Sequence, residues 1–149
     1  MKNKELSVLL SKGLIVLGLV MEIALCIWLP DCVGWLEEYY YRPLGHTASC
    51  AIAYSVMVVV AVLLVFLYLL LVNISKKNVF VRKNVTLLRL ISWSGFIAAA
   101  IMFAWGIITS LEVIFLAAFM VGFMGIILHV LKNVFEEAVI IKEESDYTI

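Results

Sequence analysis

Charge is missing from most of this chain. Thr47–Ser75, Leu90–Leu111 and Val113–Leu131 contain no Asp, Glu, Lys or Arg, and Gly13–Leu29 holds a single one, Glu22. Proline is scarce too, with only Pro30 and Pro43, and both fall in one stretch that reads as a loop. Soluble domains are about 45–50% apolar. This chain is 65% hydrophobic with a mean hydropathy of +1.12, which excludes a water-soluble core. At 149 residues it has room for one membrane domain and none for a soluble enzyme domain.

What is present is four apolar segments, each about the 20 residues needed to cross a bilayer. They predict an all-α, polytopic membrane protein with transmembrane helices near 13–29, 51–72, 90–108 and 113–131. The first reads as a retained helix, not a cleaved leader. It follows Lys2, Lys4 and Lys12, but Trp28, Leu29 and Pro30 stand where a small-residue cleavage site would be. Pro30 is expected to end it and to open an outside loop over 30–48. The run Trp35, Tyr39, Tyr40 and Tyr41 there reads as an interfacial aromatic belt or as a ligand-binding cap.

Lys and Arg set the orientation. Lys2, Lys4, Lys12, Lys76, Lys77, Arg82, Lys83, Arg89, Lys132 and Lys142 fall on one side, and only Arg42 on the other. Positive residues stay inside, so both termini, the loop 74–89 and the tail 132–149 are expected in the cytoplasm. The short link Thr109–Glu112 forces the third and fourth helices into an antiparallel hairpin. Gly95 and Ala99 on one, with Ala118 and Gly122 on the other, give the small-xxx-small spacing that permits close approach.

Lys77-Asn78-Val79-Phe80 recurs as Lys132-Asn133-Val134-Phe135, which is either a trace of duplication or convergence on one interfacial motif. Val134, Phe135, Ala138 and Ile141 make an apolar edge on the acidic tail. The tail therefore reads as an amphipathic helix that continues the fourth span into water. Its acids oppose the basic loop, so it is expected to pack against that loop, with Phe80 and Leu87 covering part of the edge.

Glu22 is the one ionisable group deep in a span, about 15 Å from Lys12 at the helical rise. Such a carboxylate is expected to be neutral and hydrogen-bonded, or to face a polar cavity with a function. His46 and His129 fall at opposite ends of the membrane, so they cannot share a haem, and no cofactor or metal site is expected. Cys26, Cys32 and Cys50 are free thiols, unless an oxidising exterior bridges Cys32 to Cys50. No nucleophile, base and polar pocket line up, so no enzymatic activity is expected.

Two stretches carry a family resemblance. One is Asn78-Val79-Phe80, Asn84-Val85 and Leu88-Arg89; the other is Asn133-Val134-Phe135-Glu136-Glu137-Ala138 with Ile141-Lys142-Glu143-Glu144-Ser145-Asp146-Tyr147-Thr148-Ile149. In these the chain resembles a bacterial group of small four-helix membrane proteins, domain-of-unknown-function family 2975. That group usually closes on Glu-Asn-Asp-Leu-Thr-Ile, where this chain has Ser145 and Tyr147 in place of Asn and Leu. Members have no assigned enzymatic activity and are often encoded beside a small helix-turn-helix regulator of the Cro/repressor type. The resemblance implies a bacterial cytoplasmic-membrane protein that partners a transcription regulator.

The leading expectation is a regulatory or interaction protein. Its partners are the bilayer and a cytoplasmic protein such as that regulator, or further copies of the chain, with no direct nucleic-acid binding. The docking residues expected are Asn78, Phe80, Asn84, Arg89, Phe135, Ala138, Ile141, Glu143 and Asp146. The alternative is a small proton-coupled exporter using Glu22, by analogy with four-helix exporters that carry a lone Glu in the first helix. The charge bias makes a direct prediction. In a background without native cysteines, cysteine at Tyr40 will react in intact cells with an impermeant thiol reagent, and cysteine at Ser7 or Ser145 will not. Labelling at position 145 would reverse the orientation.

Overall fold

The computed structural model describes residues 2–40, 45–76 and 79–148. Within them lie four helices and no strand: α1 (Lys2–Tyr40), α2 (His46–Ser75), α3 (Arg82–Thr109) and α4 (Glu112–Tyr147). Each is long and apolar enough to span a membrane. Every helix packs on the next in chain order, and among the described residues the α1 backbone approaches only α2, and that of α4 only α3. The result is an open row, not a closed bundle.

Neighbours run antiparallel. Lys12 donates to Ser75 at one end of the α1–α2 pair, and Ser49 to Glu37 at the other. Asn73 donates to Asn84 across α2 and α3, and Arg82 to Glu143 across α3 and α4. Lys12, Arg82, the start of α1 and the end of α4 therefore share one end of the row, the basic end.

The helices are longer than the apolar segments that nucleate them. α1 does not stop at Pro30 but continues through it to Tyr40, so the link expected over 30–48 shrinks to the few residues before α2. A proline inside a helix removes one N–H and leaves the carbonyl four residues earlier without its donor. Here that carbonyl belongs to Cys26, and the Tyr54 hydroxyl of α2 donates to it at 3.0 Å. A neighbouring side chain thus replaces the missing bond, the condition under which membrane helices tolerate proline. At the far end of this pair, Glu37 accepts from Ser49 and faces His46 Nδ1 at 3.6 Å, which ties the end of α1 to the start of α2.

α3 likewise begins at Arg82, not near Leu90, because nothing between them breaks a helix. It ends at Thr109, where Ser110 takes a left-handed conformation (φ 54°, ψ 32°) and the buried Leu111 seals the turn into α4. The hairpin expected from the short link is present, and its backbones touch. A methyl on Gly95 would stand 3.4 Å from Gly125 Cα, and one on Gly122 would stand 3.4 Å from Ala99 Cβ. Ser92, fully buried, donates to the Gly125 carbonyl at 3.1 Å. Gly125 and Gly106, which lies against the Phe115 ring, join the small residues anticipated from spacing.

The two copies of Lys-Asn-Val-Phe differ in backbone. Val79 and Phe80 lie in the non-helical link, whereas Lys132–Phe135 sit within α4, so the repeat marks no structural equivalence. Lys77 and Asn78 lie outside the described residues.

The role of Tyr54 is measurable. Tyr54→Phe orphans the Cys26 carbonyl and is expected to cost about 1–2 kcal/mol in detergent unfolding. In a Pro30→Ala background the helix supplies its own donor, and the cost should fall close to zero. Equal costs in both backgrounds would refute the assignment.

Candidate functional site

Most of the docking residues expected from sequence lie at the basic end, on the first turns of α3 and the last turns of α4 and the seam between them. Its base is apolar. Leu70 of α2 and Leu87, Leu88 and Ile91 of α3 form a buried cluster, against which Leu128 and Phe135 of α4 pack. The Phe80 and Phe135 rings lie 5.7 Å apart, so Phe80 and Leu87 do cover part of the tail.

Asn84 is wholly buried. Its Oδ1 accepts from Asn73 Nδ2 at 2.9 Å, and its Nδ2 donates to the Val79 carbonyl at 2.8 Å. One side chain thereby joins α2, the link and α3. Asn84 pins the link and presents nothing to a partner, while Asn78 lies outside the described residues.

Charges close the seam. Arg82 donates twice to Glu143, from Nε at 2.8 Å and from a terminal nitrogen at 2.6 Å. One heptad nearer the middle of the hairpin, Arg89 faces Glu136 at 3.5 Å. Glu136 also takes Lys132 Nζ at 2.8 Å, which lets the largely buried Lys132 keep a counter-charge. The hydrogen bond from Arg82 holds Glu143 below the ordinary carboxylate range, and Lys132, with a smaller contribution from Arg89, does the same for Glu136. Glu143 in turn raises Arg82.

The tail is helical and packed, but with a different face from the one its three-residue steps suggested. At 3.6 residues per turn the inward positions are Leu128, Lys132, Phe135, Val139 and Glu143. Val134 and Ile141 point away, each 59% exposed. Ala138 is half-buried beside Phe135, and Asp146 is exposed. Lys132, Val139, Arg82 and Glu136 were not among the expected docking residues. The seven-residue step shared by Arg82 and Arg89 and by Glu136 and Glu143 was the available signal, since a tight hairpin brings equal steps into register.

Glu22 belongs to a different place. It sits on the α1 face that meets α2, between the Gly18–Leu64 and Cys26–Met57 contacts, opposite an α2 stretch with no hydroxyl or amide side chain. It is 8% exposed, and its Oε1 has no hydrogen-bond partner. His46 and His129 stand on α2 and α4 at opposite ends, and His129 rests against the Phe96 ring. All three cysteines are thiols. Among the described residues no three His, Cys, Asp or Glu side chains stand close enough to hold a metal.

One family model, described as "Protein of unknown function (DUF2975)", matches residues 22–149. The chain belongs to the DUF2975 family. No curated protein and no solved structure matches it significantly. The DUF2975 match takes in α2, α3, α4 and the whole seam, and within α1 it starts at Glu22. The first turns of α1, with Lys12 and Ile15, fall outside it.

The seam predicts how the DUF2975 tail responds to acid. A carboxylate lowered on folding stabilises the folded form above its ordinary value, and that contribution is lost as pH falls through the lowered one. A spin label at Ser145 should therefore gain mobility as pH drops from neutral to below the ordinary carboxylate value of 4.5. Glu143→Gln should remove part of that response. Phe135→Ala should loosen the label further at neutral pH, by roughly 2 kcal/mol, about half the cost of a fully buried Phe→Ala. A label equally mobile in wild type and Phe135→Ala would mean the seam does not hold the tail.

Proposed function

We propose that this protein is a regulatory, non-enzymatic interaction protein of the bacterial cytoplasmic membrane. In this reading both termini are cytoplasmic, and the α3–α4 seam carries a docking helix for a soluble partner such as a small helix-turn-helix regulator. The observation that carries it is the continuity of α4. Its 36 residues extend about 54 Å at the helical rise, against about 30 Å of hydrocarbon. The excess is not a loose end, because Phe135, Val139 and Glu143 fix one side of it.

The other side is available. Ile141, 59% exposed, lies ten residues beyond Leu131 in a stretch with Glu137, Glu144 and Asp146, and in this reading it stands clear of the lipid tails. An exposed isoleucine flanked by acids suits a partner whose helix or groove is apolar and rimmed by Lys and Arg. The same acids disfavour two copies of this tail against each other.

The exporter reading rests on a separate observation, the buried and unpartnered Oε1 of Glu22. Against it, the facing stretch of α2 offers no polar path, and among the described residues the α1 backbone approaches only α2. One experiment separates the two. A photoreactive residue at Ile141 should cross-link in cells to a helix-turn-helix protein identified by mass spectrometry. Ile141→Asp should cut co-purification of that protein at least about tenfold, the scale of one lost apolar anchor, and Glu22→Gln should leave it unchanged. Cross-linking to lipid alone, or a complex indifferent to Ile141→Asp, would overturn the docking reading. Loss of efflux in Glu22→Gln would favour the exporter.

A further inference from the structure

The end of the row opposite the basic end brings a thiol, an imidazole and a carboxylate into line. His46 opens α2 and Cys50 lies one turn further on, so both fall on the same face. Cys50 Sγ stands 3.6 Å from His46 Nε2. The other ring nitrogen, Nδ1, faces Glu37 of α1 at 3.6 Å. Glu37 is itself held, because its second carboxylate oxygen accepts from the hydroxyl of the buried Ser49. Gly34 of α1 flanks the ring: a methyl there would stand 3.6 Å from His46 Cε1. Among the described residues the groups that pair with the His46 ring are Glu37 from α1 and Cys50 from its own helix.

The line has a chemical direction. A carboxylate only accepts, so Glu37 keeps the imidazole proton on Nδ1 and leaves the Nε2 lone pair for the thiol. When Nε2 takes the thiol proton, Glu37 faces the imidazolium that results. The thiolate is the nucleophilic form of cysteine, and an unassisted thiol holds only a few per cent of it at neutral pH. Access fits as well. The His46 side chain is 52% exposed, and the half-buried Cys50 lies about 6 Å into α2 at the helical rise. The other two cysteines are placed differently. Cys26 donates to the Met57 sulfur at 3.8 Å, and Cys32 lines an apolar cavity of about 750 Å³ between α1, α2 and α3. No disulfide engages Cys50.

We propose that Cys50 is a reactive thiol that takes small disulfides, with His46 as its base and Glu37 positioning that base. His46 Nε2 removes the Cys50 proton. The thiolate attacks one sulfur of R–S–S–R, and the new Cys50 Sγ–S bond forms as the old S–S bond breaks. The leaving thiolate takes the proton back from His46 and departs as R–SH. Cys50 is oxidised, the leaving sulfur is reduced, and a mixed disulfide remains where the end of α1 is tied to the start of α2. A small thiol reverses the step by the same path. The reaction is a stoichiometric modification, not a turnover. Disulfides are the electrophiles an oxidising exterior supplies, and this choice rests on the orientation proposed above, in which this end faces outside. The line of residues itself is independent of the seam and of any partner docked there.

Bis(2-hydroxyethyl) disulfide, small and uncharged, is the probe. Mixed-disulfide formation on the full chain in a neutral detergent is followed cysteine by cysteine, by peptide mass spectrometry. At neutral pH, Cys50 in the wild type should react about tenfold faster than in His46→Ala, most of the gain open to a thiol that is a few per cent ionised. Glu37→Gln should lose a smaller part of that rate. At about pH 10, above the ordinary thiol value of about 8.5, the thiol ionises unaided and the difference should close. Cys32 should react equally in all three proteins, which separates loss of the base from loosening of α1 on α2. Should His46→Ala fail to fold, His46→Gln takes its place. A Cys50 rate at neutral pH that is indifferent to His46, a difference that persists at high pH, or a Glu37→Gln protein as fast as the wild type would each overturn the proposal.

Discussion

The contact between Gly95 and Gly125 sets the register of the half of the molecule that carries its polar chemistry. Without side chains at these positions the backbones of α3 and α4 reach van der Waals distance, and Ser92 can bond directly to the Gly125 carbonyl. In a bilayer the hydrophobic effect does not hold helices together, because lipid tails are as apolar as leucine. Close approach and interhelical hydrogen bonds have to supply the attraction. Once the glycines fix the hairpin, Arg89 falls opposite Glu136 and Arg82 opposite Glu143. The ion pairs are a consequence of that register. Their exposure to solvent makes them weak on their own.

Much of this was legible in the residues. The charge-free runs gave four helices, the short link at Ser110 gave the hairpin, and Gly95, Ala99 and Gly122 marked its tight face. Three features were not legible, each for a physical reason. Pro30 read as a stop because a chain examined alone shows the lost hydrogen bond, and only a neighbour shows its replacement by Tyr54. The tail's inward face was misplaced because a three-residue step drifts by more than half a residue per turn. Over 133–149 that drift exchanges Ile141 for Val139 and Glu143. Asn84 read as a surface motif residue because nothing in a sequence distinguishes an asparagine that bonds a partner from one that bonds its own loop.

Asn84 and Glu22 show opposite ways of burying a polar group. Asn84 has its oxygen and its nitrogen engaged, and the three segments it joins are the ones that must stay fixed for the seam to exist. Glu22 keeps one oxygen without a partner at an interface made by two helices only. A satisfied buried network rigidifies, whereas an unsatisfied group is a standing cost. The row is therefore uneven in how it is held: the α3–α4 hairpin is fastened along its length, and α1 at its two ends and at the proline.

That unevenness follows from topology. In an open row each edge helix has one neighbour, but the two edges are fastened differently. α4 is held by glycine contacts, a serine bond, an apolar cluster and two ion pairs. α1 is held by Tyr54 at the proline, by Glu37 at one end and by Lys12 at the other, with an apolar stretch of α2 facing Glu22 between them. The cavity opens on the α1 side for the same reason, since among the described residues the α1 and α3 backbones do not approach each other. A change in how α1 lies on α2 can reach the seam only through α2, because among the described residues the α1 backbone approaches no other helix.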